Sequence, residues 1–215
     1  MSFLDFAEGP LFNIAAVIFV LGVIWKLIGI LLLGTRTDYA TPRGSALGGA
    51  IMTNIRHLWP RRIFLAKGGL FHFLIGYAFH IGLFVLLIFA LPHMTFLKDR
   101  IFGFGWPALP RWAFIIMAEL ALGGLLLLWI RRLCDPVQRL VSEPADHIST
   151  GLTLLVMLTG CFALQISHDT LRAIHMLLAD LWLIYFPFGR LMHSFTFLFS
   201  RGATGAAYGR RGVAP

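Results

Sequence analysis

The sequence predicts an all-α protein of the membrane, a polytopic bundle of five transmembrane helices. Three observations predict it. First, 58% of the residues are hydrophobic and only 13% are charged, whereas soluble domains have about a quarter of their residues charged. Second, five long apolar stretches stand out, at about 11–33, 70–91, 111–130, 148–167 and 171–199, and a spanning helix needs roughly 20 such residues. Third, basic residues gather between alternate stretches, as the positive-inside rule requires.

The first stretch follows Asp5 and Glu8 and lacks a basic leader, so it is expected to be a retained helix and not a signal peptide. Arg36, Arg43, Arg56, Arg61, Arg62 and Lys67 lie between the first and second stretches. The loop after the second stretch carries only Lys98 and Arg100 before IFGFGWPALP, a run too short to span, with Trp106 as an interfacial anchor. Arg131, Arg132 and Arg139 follow the third stretch, and Arg201, Arg210 and Arg211 follow the fifth. The expected orientation puts the N-terminus outside and the C-terminus in the cytoplasm. The net charge of +8 is then a topology signal favoured by anionic lipid, and no nucleic-acid partner is expected. The chain reads as one domain over 1–215, in a bacterial inner membrane. Long continuous runs exclude a β-barrel, whose segments are short and alternating. Cys134 falls at the cytoplasmic end of its helix and Cys161 toward the outer part of the next, and no CxxC is present, so neither a disulfide nor a zinc or iron–sulfur site is expected.

Eight histidines in so apolar a chain need partners. His72 and His80 lie in the second stretch, with His93 at its outer end, and His175 and His193 lie in the fifth. A set divided between two helices suits b-type haem, whose common axial ligand is a neutral imidazole. His175 and His193 are 18 residues apart. On a continuous helix that is five whole turns and about 27 Å, a separation for two haems, one toward each leaflet. Arg172 and Arg190 each precede a histidine by three residues. There they can pair with haem propionates or snorkel to the interface.

These residues resemble a known family. RAIHMLLADLWLIYFPFGRLMHSF in the fifth stretch resembles the closing helix of the gamma subunit of respiratory nitrate reductase, with its FPFxRLxH ending. RRLCDPVQRLVSEPADHISTGLTLL and FHIGLF, which begins at Phe79, resemble a loop and the FHxGL motif of the same family. Membrane cytochromes of sulfite-reductase-linked and heterodisulfide-reductase-like complexes share the pattern. The resemblance implies a di-haem cytochrome b, with two haem b groups, that exchanges electrons between quinone and a cytoplasmic iron–sulfur protein subunit.

The second stretch departs from the family. There the two ligands are ten residues apart, but ten residues after His80 stands Ala90. His80 with His93, His72 with His80, and His72 with His93 all remain open. The preferred set pairs His80 with His193 for the inner haem and His93 with His175 for the outer, with His72 in reserve. His80 and His93 are 13 residues apart, roughly 220° around an ideal helix, so Pro92 must re-aim His93. The resemblance places quinol oxidation on the outer side, where Lys98, Arg111 and His168 are the candidates for the quinone site and headgroup anchoring is the competing role. Lys26, Glu119 and Asp180 are ionisable groups inside spans, expected to pair mutually or, for Lys26, to snorkel. The rival to the cytochrome is a haem-free membrane anchor or small transporter. It leaves the 18-residue pair unexplained.

Overall fold

The computed structural model describes residues 2–34, 38–58, 69–166 and 168–213. Arg36, Arg61, Arg62 and Lys67, four of the basic residues used for topology, lie outside the described residues. All regular structure among the described residues is helical. The main helices are α1 (Phe12–Leu32), α2 (Ala46–Arg56), α3 (Gly69–Phe89), α4 (Leu91–Leu97), α5 (Arg111–Cys134), α6 (Pro136–Val141), α7 (Pro144–Gln165), α8 (Asp169–Tyr185) and α9 (His193–Arg210). Five helical segments are long and apolar enough to cross a bilayer: Phe3–Leu32, Gly69–Phe89, Arg111–Cys134, Pro144–Gln165 and Asp169–Phe188. The chain is a multi-pass membrane protein. Only a helix or a closed barrel satisfies every backbone group inside lipid, which is why apolar length alone finds these segments.

The first of these starts earlier than the sequence reading has it. A capping box between Ser2 and Asp5 starts a helical turn at Phe3–Phe6. The helix then widens to a π-turn at Ala7–Leu11, around Pro10, whose missing N–H cannot close an ordinary α-turn.

The chain divides into two compact units, Met1–Glu8 with Ala66–Ala179, and Gly9–Leu65 with Asp180–Pro215. In the first unit α3 packs on α5 through small residues. A Cβ on Gly82 would lie 2.7 Å from the Met117 carbonyl, and one on Gly124 would lie 3.0 Å from the Phe79 nitrogen. Such close backbone approach is how membrane helices associate without a hydrophobic drive. Phe79, Leu86, Ala118, Ala121, Leu125 and Met157 form the core there. Trp129 of α5 donates to Nδ1 of His147 on α7 at 3.1 Å, and Arg132 of α5 donates to Ser142, just after α6, at 3.1 Å.

In the second unit Phe19 of α1 meets Phe186 edge-on at 5.2 Å, and Phe186 meets Phe195 at 5.7 Å. α2, an element the sequence reading does not contain, lies against α9. Gly49, Gly205 and Gly209 let the two backbones touch, since a Cβ on any of them would strike backbone of the other helix. Asn54 donates to the Leu198 carbonyl at 3.3 Å, and the Arg43 N–H donates to the Arg210 carbonyl at 2.8 Å.

The expected continuous helix over 171–199 is corrected. α8 ends at Tyr185, and two 3₁₀ turns, Phe186–Phe188 and Arg190–Met192, precede α9. Pro187 removes one helical donor, and Gly189 is extended at φ −103°, ψ −172°. His193 therefore opens a new helix, and the count of five whole turns from His175 no longer applies.

Candidate functional site

The C-terminal end of α3 creates the site. Ala90 is extended at ψ 135°, and Pro92 is an early residue of α4. Pro92 has no N–H for the Ile88 carbonyl, which takes the Trp106 indole N–H instead, at 3.0 Å. The Phe89 carbonyl accepts the Leu109 N–H at 2.9 Å. The chain thus turns out of α3 with the Ile88 and Phe89 carbonyls satisfied, and His93 is swung off the path of that helix. Its Nδ1 reaches back to the Leu86 carbonyl at 3.0 Å.

His175 comes from α8, a separate span. Its Nδ1 bonds the Val156 carbonyl of α7 at 3.1 Å, with the Thr159 hydroxyl at 3.4 Å. The His93 and His175 rings lie 6.1 Å apart between centroids, with planes 25° apart. Both are partly buried, and burial holds His93 below the usual imidazole pKa. Gly160 of α7 makes room for the second ring, because a Cβ there would lie 2.9 Å from its Cε1.

This geometry fixes which nitrogen is available. A carbonyl oxygen only accepts, so each Nδ1 carries the proton and each Nε2 keeps its lone pair. A metal-bound imidazole is commonly held by such a carbonyl bond. Imidazole nitrogen binds a transition metal at about 2 Å, so two rings facing each other across one ion have centroids about 6.4 Å apart. The observed centroid separation of 6.1 Å is close to that spacing. Among the described residues no group of three or more His, Cys, Asp or Glu side chains gathers around a point.

The other proposed ligands carry the same local signature. His80 Nδ1 bonds the Gly76 carbonyl at 2.7 Å, and His193 Nδ1 bonds the Arg190 carbonyl at 2.8 Å. Both rings are exposed. His57 also makes a carbonyl bond, to Thr53 at 2.8 Å, so the signature alone does not mark a ligand. The carbonyl four residues before the reserve residue His72 belongs to Gly68, which lies outside the described residues.

Arg172, one turn before His175, donates to Glu8 Oε1 at 2.8 Å. Its side chain is thus shown reaching a carboxylate. Arg100 lies 3.5 Å from the Glu8 carbonyl oxygen. Glu8 is the polar residue that the sequence reading passes over, having used it only to reject a signal peptide. Arg190 sits in the second 3₁₀ turn. The three quinone-site candidates go to separate partners: the Lys98 side chain lies near Gly105, Arg111 is 3.5 Å from Gln165, and His168 Nδ1 accepts the Thr170 N–H at 3.2 Å.

Lys26, Glu119 and Asp180, the ionisable groups inside spans, have different surroundings. Lys26 lies over the Trp25 ring at 5.0 Å. Glu119 is exposed on α5, in a stripe with Ile115, Ile116, Leu120 and Leu127. Asp180 is 1% exposed, and neither carboxylate oxygen has a hydrogen-bond partner among the described residues.

No protein-family model matches the chain. The chain is similar to a protein of Nitratidesulfovibrio vulgaris (strain Hildenborough), with 29% identity over 209 residues, 94% of this chain and 92% of that one. It is also similar to the Hdr-like menaquinol oxidoreductase cytochrome b-like subunit of Archaeoglobus fulgidus, with 29% identity over 163 residues. That match covers 59% of this chain and 48% of the relative, so the chain spans about half the relative's length.

Proposed function

We propose that this protein is a di-haem cytochrome b of a bacterial inner membrane, exchanging electrons between the quinone pool and a cytoplasmic iron–sulfur subunit. The observation that carries the reading is the His93–His175 pair, two imidazoles from separate elements with centroids 6.1 Å apart and Nδ1 atoms bound to carbonyls. The similarity to a menaquinol oxidoreductase cytochrome b-like subunit supports the quinone-linked, membrane electron-transfer part of it.

Haem iron bound between imidazoles supplies one-electron redox chemistry. The chain's residues do the rest. His93 and His175 present Nε2 for the outer haem, and the Leu86 and Val156 carbonyls fix the ring planes. His80 and His193 are assigned the same task for the inner haem, each held through Nδ1. Arg172 and Arg190 offer positive charge to propionates, and the Glu8 carboxylate on Arg172 marks where such a group would bind. Quinone is assigned to the outer face, with Lys98, Arg111 and His168 as the groups that orient it and move its protons. The basic side, with Arg131, Arg132, Arg139, Arg201, Arg210 and Arg211, is assigned to the cytoplasm and to the partner subunit.

Separate substitution of His175 and His193 by alanine tests this. Each variant should keep half of the haem and lose one of two bis-histidine spectra. Haem content unchanged in both variants refutes the ligand set. Purified protein with no haem at all returns the rival, a haem-free anchor or transporter.

A further inference from the structure

α2 has two unlike faces. Gly49 and Thr53 turn into α9, and Thr53 is buried. The opposite face carries Leu47, Ile51 and Ile55 at four-residue spacing, with Met52 beside them. They are 69%, 52%, 57% and 43% exposed. An aliphatic stripe of this kind on an 11-residue helix does not favour water. It also offers no hydrogen-bonding group to a protein partner, whose interfaces mix apolar and polar contacts.

Charge and tethering say what covers it. Arg43 precedes α2 and Arg56 closes it. Across 38–58 and 193–213 five arginines stand against one acid, Asp38. That acid is already engaged, 3.9 Å from Arg210 and 3.6 Å from Arg211. α2 also lies between two spans, 13 residues after Leu32 (33–45) and 12 before Gly69 (57–68). The membrane surface is therefore always within reach.

We propose that α2 is a membrane-surface helix: Leu47, Ile51, Met52 and Ile55 insert among the acyl chains of the leaflet, and Arg43 and Arg56 bind the phosphates of anionic phospholipid. Amphipathic helices with one apolar face and basic residues lie in this way in the interfacial plane, and arginine reaches headgroups while its stem stays on apolar surface. The α9 contact supplies what such a short helix lacks alone, a partner for its small-residue face. The proposal uses only the five spans and stands apart from the haem assignment.

The test uses the full chain with Cys134→Ser and Cys161→Ser and a bimane probe on Ile51→Cys. The protein is reconstituted in vesicles of phosphatidylcholine with phosphatidylglycerol. Brominated lipid should quench the probe more strongly than aqueous iodide. Brominated phosphatidylglycerol should quench more than brominated phosphatidylcholine, and that preference should fall about fivefold for each of Arg43→Gln and Arg56→Gln. A probe quenched by iodide and untouched by brominated lipid overturns the proposal and gives the stripe to water or a protein partner. Equal quenching by the two brominated lipids, unchanged in the arginine variants, overturns the headgroup assignment. Circular dichroism of every variant, with the same helical content as the parent, shows that the fold is intact.

Discussion

Gly160→Ala is the sharpest perturbation of the histidine pair that touches neither histidine. The new Cβ would stand 2.9 Å from His175 Cε1 and 3.3 Å from its Nδ1. Ordinary carbon contacts lie near 3.5–4.0 Å, so the ring must retreat by about 0.5–1 Å. It cannot do so freely, because Nδ1 is tied to the Val156 carbonyl at 3.1 Å on the same helix as the intruding methyl. Overpacking of this kind costs about 1–3 kcal/mol, a factor of roughly 5–150 in an equilibrium constant. That cost falls on the proposed His93–His175 site. The assay is haem content per chain, with electron paramagnetic resonance to count distinct low-spin haems. The variant should lose the outer haem or show a displaced outer signal, and keep the inner one. Two unaltered signals at full occupancy would refute the claim that Gly160 shapes the seat of His175.

Four further outcomes follow from particular surroundings. Gly205→Val drives side-chain carbon into Thr53 and the Gly49 carbonyl, so thermal stability should fall by about 1–3 kcal/mol. Gly123→Ala, with nothing within 4 Å of its Cβ, should raise stability by up to about 1 kcal/mol, and a thermal melt compares the two. Glu119→Leu should stabilise the isolated chain in lipid by about 2.5–3.5 kcal/mol, the cost of an acidic group facing hydrocarbon. No change in a denaturant titration in bicelles would mean that this face of α5 is already covered. Asp38 has its pKa lowered, first by the Ala40 N–H and then by Arg211 and Arg210. A depressed carboxylate stabilises the fold above its unfolded pKa of about 3.9 and ceases to do so as pH falls through the lower folded value. Asp38→Asn should therefore speed amide hydrogen exchange in the α9 tail at neutral pH, relative to the intrinsic rate, with the difference from the parent vanishing at strongly acid pH.

The five spans were legible because lipid permits no other use of long apolar runs. α2 was not, because 11 residues containing Gly48 and Gly49 form a stable helix only when α9 lies on them. The break at 186–192 had its signals in Pro187 and Gly189, and the 18-residue ruler between His175 and His193 passed over both. The histidine site was half legible. Pro92 pointed to a re-aimed His93, and the structure brings that ring beside His175. Gly160 and Glu8 were silent in one dimension. A glycine that makes room, and an acid whose arginine lies 164 residues away, show their roles only when the chain is folded.

The haem-to-protein ratio of the purified chain, with an optical redox titration, tests the central claim most directly. Two bis-histidine b-type haems per chain, titrating as two components, is the predicted result. A protein that keeps its fold but carries no haem, or a single haem insensitive to loss of His93 and His175, would contradict it.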